Sequence, residues 1–341
     1  MKTLYLTLVG CALLGATEAL SQEASSPFSA EFSFEMQSDF TVNSSAPGEE
    51  INNTFATIEG GLSFALTPQT SINSTLVLEQ ITAPTSDSFL EDHGLYAEEL
   101  YFAYDFGAAQ VVLGKFNPAF GIAWDVAPGI YGVDFAEDYE ITEKIGASLT
   151  IPFSVGQGAH ELTLAIFNAD RTVLSESLGE NRGRTRLSDG GVSNTDGPES
   201  VAVSLSGAFG PTEYNLGLQS QARGVGDVAD QTGIVGGLRR EFATGALPVT
   251  VLVEAAYFDN FDGTRDSATF ATLGVEAPVG PVTLSAVYAL RDVKNLPQDQ
   301  LTTVSGEIEI ADGLTAALAY RYGDEGGVES HTIGALLAKE F

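Results

Sequence analysis

The side chains most able to do chemistry are carboxylates, and one stretch concentrates them. "GKFNPAFGIAWDVAPGIYGVDFAEDYEITEK" holds Asp125, Asp134, Glu137 and Asp138, with no basic residue between Asn117 and Glu143. It also holds the only tryptophan, Trp124, and mixes its acids with apolar residues instead of reading as a purely solvated loop. Carboxylate pairs are expected by composition alone in a chain with 46 acidic and 15 basic residues. The histidines, His93, His160 and His331, fall on a loop, a short turn and the start of a strand, without metal-ligand spacing. No nucleophile stands with a base and an orienting group. The residues thus point to no enzyme, metal or cofactor. The chemistry left to them is electrostatic, since charges around a narrow passage select ions by their field.

Period-two patterning supplies the elements that would position these charges. In "PFSAEFSFEMQSDFTV" Ala30, Phe32, Phe34 and Met36 share one parity while Glu31, Ser33, Glu35 and Gln37 share the other, as in a strand with one apolar and one polar face. The pattern recurs in "ATIEGGLSFAL", "EELYFAYDF", "VTLSAVYALR", "LTAALAYRYG" and others. About sixteen such strands are expected, each near the ~9 to 11 residues that cross hydrocarbon at a tilt. Parity puts Lys144, Arg239, Arg291 and Arg321 on the polar side, together with Glu31, Glu35, Glu59, Glu99, Glu254, Glu276, Glu307 and Glu309. Acidic and basic walls facing each other would set up a transverse field.

Connection lengths alternate. Short turns such as "GPT", "PVGP" and "ADG" are interleaved with long polar loops such as "NSSAPGEEINN" and "APTSDSFLEDHG". The fold expected is all-β, a transmembrane antiparallel β-barrel with tight turns at one end and long loops at the other. Residues 1–21 read as a signal peptide, with Lys2 at the start, an apolar run to Leu14 and small residues near Ala19 and Ser21. Residues 22–341 would form the barrel. Cys11, the only cysteine, lies in the leader, so no disulfide framework is expected. The acidic balance argues against nucleic acid, which needs concentrated Lys and Arg.

With signal, alternation, turn asymmetry and the ending "TIGALLAKEF", the chain resembles the Gram-negative outer-membrane general porins, sixteen-stranded barrels of the alphaproteobacterial type. The resemblance implies a water-filled channel of the outer membrane for passive diffusion of ions and small hydrophilic solutes, a homotrimer, and contact with outer-membrane lipid and lipopolysaccharide. It implies that Phe341 acts as the terminal signal read by the barrel-insertion machinery. Lys339 departs from the apolar residue expected two places earlier. The resemblance makes 116–140 the constriction loop, folded into the barrel after the fifth strand. On that basis Pro118, Phe120, Ile122, Trp124, Ile130 and Tyr131 would anchor it, while Asp125, Asp134, Glu137 and Asp138 would face the lumen opposite the wall cations. The pore would then prefer cations. The basic run Arg182, Arg184 and Arg186 could meet lipopolysaccharide phosphates or acids of the protein itself. Alternatives are a substrate-selective porin, or a surface receptor or adhesin barrel with a plugged lumen.

Overall fold

A computed structural model describes residues 26–245 and 247–341. The 1–21 leader lies outside the described residues. Sixteen antiparallel strands of 7 to 17 residues, from Phe28–Ser44 to Val328–Glu340, pair each with the next in sequence. The first and last strands then pair with each other, Met36 opposite Leu337, and close the barrel. Closure leaves no sheet edge, which suits backbone surrounded by hydrocarbon, where no water can satisfy an open N–H or C=O. Two short extra strands, Ser88–Phe89 and Leu178–Gly179, come from the long loops and pair alongside the barrel.

The alternation sorts side chains by face. Leu216, Leu218 and Leu318 point outward and are 55%, 55% and 61% exposed, while Val235, which points inward opposite Gly217, is buried. Near the short turns Phe28, Phe64, Phe106, Phe153, Phe209 and Phe242 are all exposed, an aromatic ring at one end of an apolar belt. Phe341 joins this end, with its N–H donating to the Phe32 carbonyl at 2.9 Å. Lys339 lies 5.6 Å from the Phe341 ring and donates to the Asp312 carbonyl, so its charge reaches polar backbone at the rim.

The fifth barrel strand, Gln110–Phe116, and the sixth, Lys144–Val155, are joined by a long segment that folds into the barrel. Its apolar residues Phe120, Ala123, Ala127, Ala136, Tyr139 and Ile141 are buried against inward side chains of the wall, including Phe167, Leu252, Phe258 and Phe270. Inward Phe258 and Phe270 are thus covered by the loop and offer solutes no aromatic track. Burying this much apolar surface holds the loop to one side of the barrel.

Candidate functional site: the loop inside the barrel

The neck of the loop is fastened by one amide. Asn117 donates from Nδ2 to Glu98 and from its backbone N–H to Glu99, at 2.8 and 3.1 Å, while its Oδ1 accepts from the Glu143 N–H at 2.7 Å. Both glutamates reach it because a β-bulge interrupts the strand. Thr75 pairs with Glu99 and Leu76 with Ala97, which leaves Glu98 as an extra residue.

The far wall holds the middle of the loop through Glu254, whose residue is 1% exposed. Its carboxylate accepts from the Ile122 N–H at 2.7 Å, the Ala123 N–H at 3.1 Å and the Tyr139 hydroxyl at 2.6 Å. The first two are unsatisfied donors at the start of the one-turn helix Ala123–Val126, which cannot bond within so short a helix. Tyr131 makes a further tether, donating to Asp39 at 2.6 Å. Close approach of loop and wall requires absent side chains. A Cβ on Gly334 would collide with the Tyr131 hydroxyl, and one on Gly274 would come 2.8 Å from Pro128 Cδ. Composition had no way to flag these inward glycines, because the contact they permit is with residues far away in sequence.

Two of the loop acids are held by wall cations. Arg321 donates to Asp134 at 2.9 Å, and Arg291 to Asp138 at 2.6 Å and to Asp299 at 2.8 Å. The expectation of loop acids confronting basic residues across water therefore changes here, because direct charge-assisted hydrogen bonds bring the partners into contact. Arg321 also donates to Glu325 at 2.6 Å, so Arg321 and Arg291 act as clamps that each hold two carboxylates and leave a negative balance. The other two wall cations lie elsewhere. Arg239 faces Glu213 and Glu276 at 3.2 and 3.8 Å toward the short-turn end. Lys144 stands at the long-loop mouth beside Glu143 and Arg182.

Among the described residues, Asp125 and Glu137 have no cation in contact. Burial pushes the Asp125 carboxyl up to about 6, with repulsion from Glu254 adding to it. Burial, then the charges of Asp134 and Asp138, push Glu137 up to about 7. On the short-turn side of the loop, Asp125 joins Glu35, Glu59, Glu307 and Gln37 around a cavity of about 300 Å³. Of the anchors expected, Pro118, Phe120 and Tyr131 are buried, and Ile122 and Trp124 pack against the same core. Ile130 is half-buried beside the cavity.

The long loop between Ala169 and Ser200 is fixed over the mouth. Lys115, fully buried, contacts Glu143 at 2.7 Å, Asp170 at 3.1 Å and the Leu174 carbonyl at 2.9 Å. Arg182 binds Glu143 with both terminal nitrogens and stacks 3.7 Å from the centre of the Tyr96 ring. Arg184 donates to the Arg171 carbonyl, and the Arg186 backbone N–H donates to Asp189. Sequence pattern named Arg182 but not Lys115, which looked like one more residue of a strand.

No family model matches the chain, and no curated sequence does. Solved structures do. OprB of Pseudomonas putida matches with a TM-score of 0.67 at 9% identity, over 92% of this chain and 94% of that one. The outer membrane channel DcaP of Acinetobacter baumannii matches with a TM-score of 0.60 at 10% identity, over 92% and 97%. An anion-selective porin from Comamonas acidovorans matches with a TM-score of 0.57 at 15% identity, over 92% and 100%. The chain therefore has the porin fold, a closed sixteen-stranded antiparallel barrel. One of these neighbours is described as anion-selective, so ion preference must be argued from this chain's own charges.

Proposed function

We propose that this chain forms a cation-preferring pore of the bacterial outer membrane, through which ions and small hydrophilic solutes diffuse passively. The observation that carries the reading is the loop packed to one side of the barrel beside an acid-lined cavity. Glu35, Glu59, Asp125 and Glu307 line it, while Asp134 and Asp138 are held by Arg321 and Arg291, each of which also meets a second carboxylate, Glu325 or Asp299. The field left over is negative, and a low-dielectric wall focuses it on passing ions. The apolar belt and aromatic ring support a position in a membrane.

The same reading includes export by a leader at 1–21, insertion aided by Phe341, and assembly as a homotrimer in contact with lipid and lipopolysaccharide. It casts Arg182 as a structural clamp on the mouth, leaving Arg184 and Arg186 nearer to any lipopolysaccharide phosphate. Purified protein in a planar bilayer tests the pore. Stable ohmic steps with a cation-selective reversal potential are expected, and silence would favour a plugged receptor barrel instead.

A further inference from the structure

The loop packs against later strands through Phe258, Phe270 and Gly274, which leaves the first strands to form the opposite wall of the passage. That wall has no basic side chain to set against the loop acids. From Thr3 to Gly114 the sequence holds neither lysine nor arginine, so the first four barrel strands, from Phe28–Ser44 to His93–Asp105, present carboxylates and no such cation. His93 adds no charge, because its Nε2 accepts from the Ala56 N–H at 3.1 Å and so carries no proton.

The carboxylates of this wall differ in what they hold. Asp39 accepts from Tyr131, Glu79 from Tyr96, Glu98 from the Asn117 amide, and Glu99 from Thr75 and the Asn117 N–H. Among the described residues, the Glu35 and Glu59 side chains make no hydrogen bond or ion pair, and both line the cavity of about 300 Å³ beside the loop. Glu59 is the more central of the two. It pairs with Ser33 on one side and Val77 on the other, so Glu35 and Glu79 are its diagonal neighbours, roughly 7–8 Å away. The charges of Glu98, Glu35, Glu99 and Glu79 all act on it, whereas the charge acting on Glu35 is that of Glu340 at the rim.

Asp125 lines the same cavity from the loop side. Among the described residues that line it, the one cation is Lys339, whose ammonium is turned to the Asp312 carbonyl at 2.6 Å. Like charges on two sides of a gap cancel each other's transverse field near its middle, while their negative potentials add. The screening length, about 10 Å at 0.1 M salt, lets both sides act on one ion.

We propose that Glu59 is a specificity-determining residue of the pore, acting with Asp125 from the facing side as a pair of like charges. A cation is then drawn by both sides and an anion repelled by both, while a zwitterion finds no transverse field to orient it. This role for Glu59 rests on the pore reading and deepens it, placing a share of the specificity on the wall that faces the loop.

Reversal potentials of the full-length protein in planar bilayers, in a low-salt potassium chloride gradient at pH 8, test it. Glu59→Gln should lower the potassium-to-chloride permeability ratio about threefold, the size set by a unit charge ~7 Å from an ion in water. Glu59→Lys, which gives the two sides opposite signs, should lower it further, and Glu59→Asp should keep the native ratio. Glu309→Gln, at an exposed inward position near the short turns, should change it less than Glu59→Gln does. Glu59 holds no partner among the described residues, so Glu59→Gln takes no bond from the barrel. A native ratio kept by Glu59→Gln, or an equal fall with Glu309→Gln, would overturn the role of Glu59 and leave the pore standing. A silent native protein would overturn the pore reading and the role of Glu59 together.

Discussion

Glu254 accepts three hydrogen bonds from the loop with a single carboxylate and, among the described residues, has no cation in contact, so each donor depends on it. Glu254→Gln puts an amide NH₂ where one acceptor oxygen was, leaving a buried loop donor unpaired. An unsatisfied buried group costs about 1–3 kcal/mol. The barrel should still form, but single-channel records should become noisier and protease should cut the 118–140 segment faster. Quiet records and unchanged protection would show that the apolar packing holds the loop unaided. Gly334 gives a complementary case. Gly334→Val places methyl groups where the Tyr131 hydroxyl lies, and overpacking of this kind costs about 1–3 kcal/mol. Because the clash is with a loop and not another strand, conductance should change more than the barrel's melting temperature. A large fall in melting with unaltered conductance would place the strain in the wall.

At the scale of the strand, adjacent residues should differ sharply. Leu318 points out, 61% exposed, while Ala317 lines the inner cavity. Leu318→Arg should cost about 2–4 kcal/mol if that face meets lipid, whereas Ala317→Arg should be tolerated and should shift selectivity toward anions. Folding titrations in lipid vesicles would measure both, and equal penalties would argue against a lipid-facing belt. The strands themselves were legible in the sequence, since two-residue alternation runs through most of their length; Phe32 with Glu31 and Leu318 with Arg321 behave as pattern alone implies. The bulge at Glu98 was not legible. An extra residue preserves composition and merely flips parity, so only the pairing of Thr75 with Glu99 and Leu76 with Ala97 exposes it. The clamps escaped notice for a related reason. Parity puts Arg291 inside the barrel, but it cannot say that Asp138, 153 residues away, will meet it. Likewise Glu254 read as one inward acid among eight, and its role appears only when the loop lies against it.

For the whole molecule, selectivity follows from which charges remain unpaired, and pH should tune it. The Asp125 and Glu137 carboxyls lie high, at about 6 and about 7, chiefly through burial. They are therefore charged above that window and neutral below it. Cation preference should be full near pH 8 and weaken as pH falls toward 5, most visibly at low salt where the screening length is long. A preference flat across this range would mean that neither group faces the ion path.

The reversal potential in a low-salt potassium chloride gradient at pH 8, for the native protein and for Asp134→Asn, Glu137→Gln, Asp138→Asn combined, tests the central claim that this loop sets an acidic field in the pore. The native potential should carry the sign of cation preference. The triple change removes one unpaired acid and the loop partners of Arg321 and Arg291, which keep Glu325 and Asp299, so the potential should move toward zero while Glu35, Glu59, Asp125 and Glu307 hold some cation preference. Native anion preference, or a potential that ignores the triple change, would contradict the account.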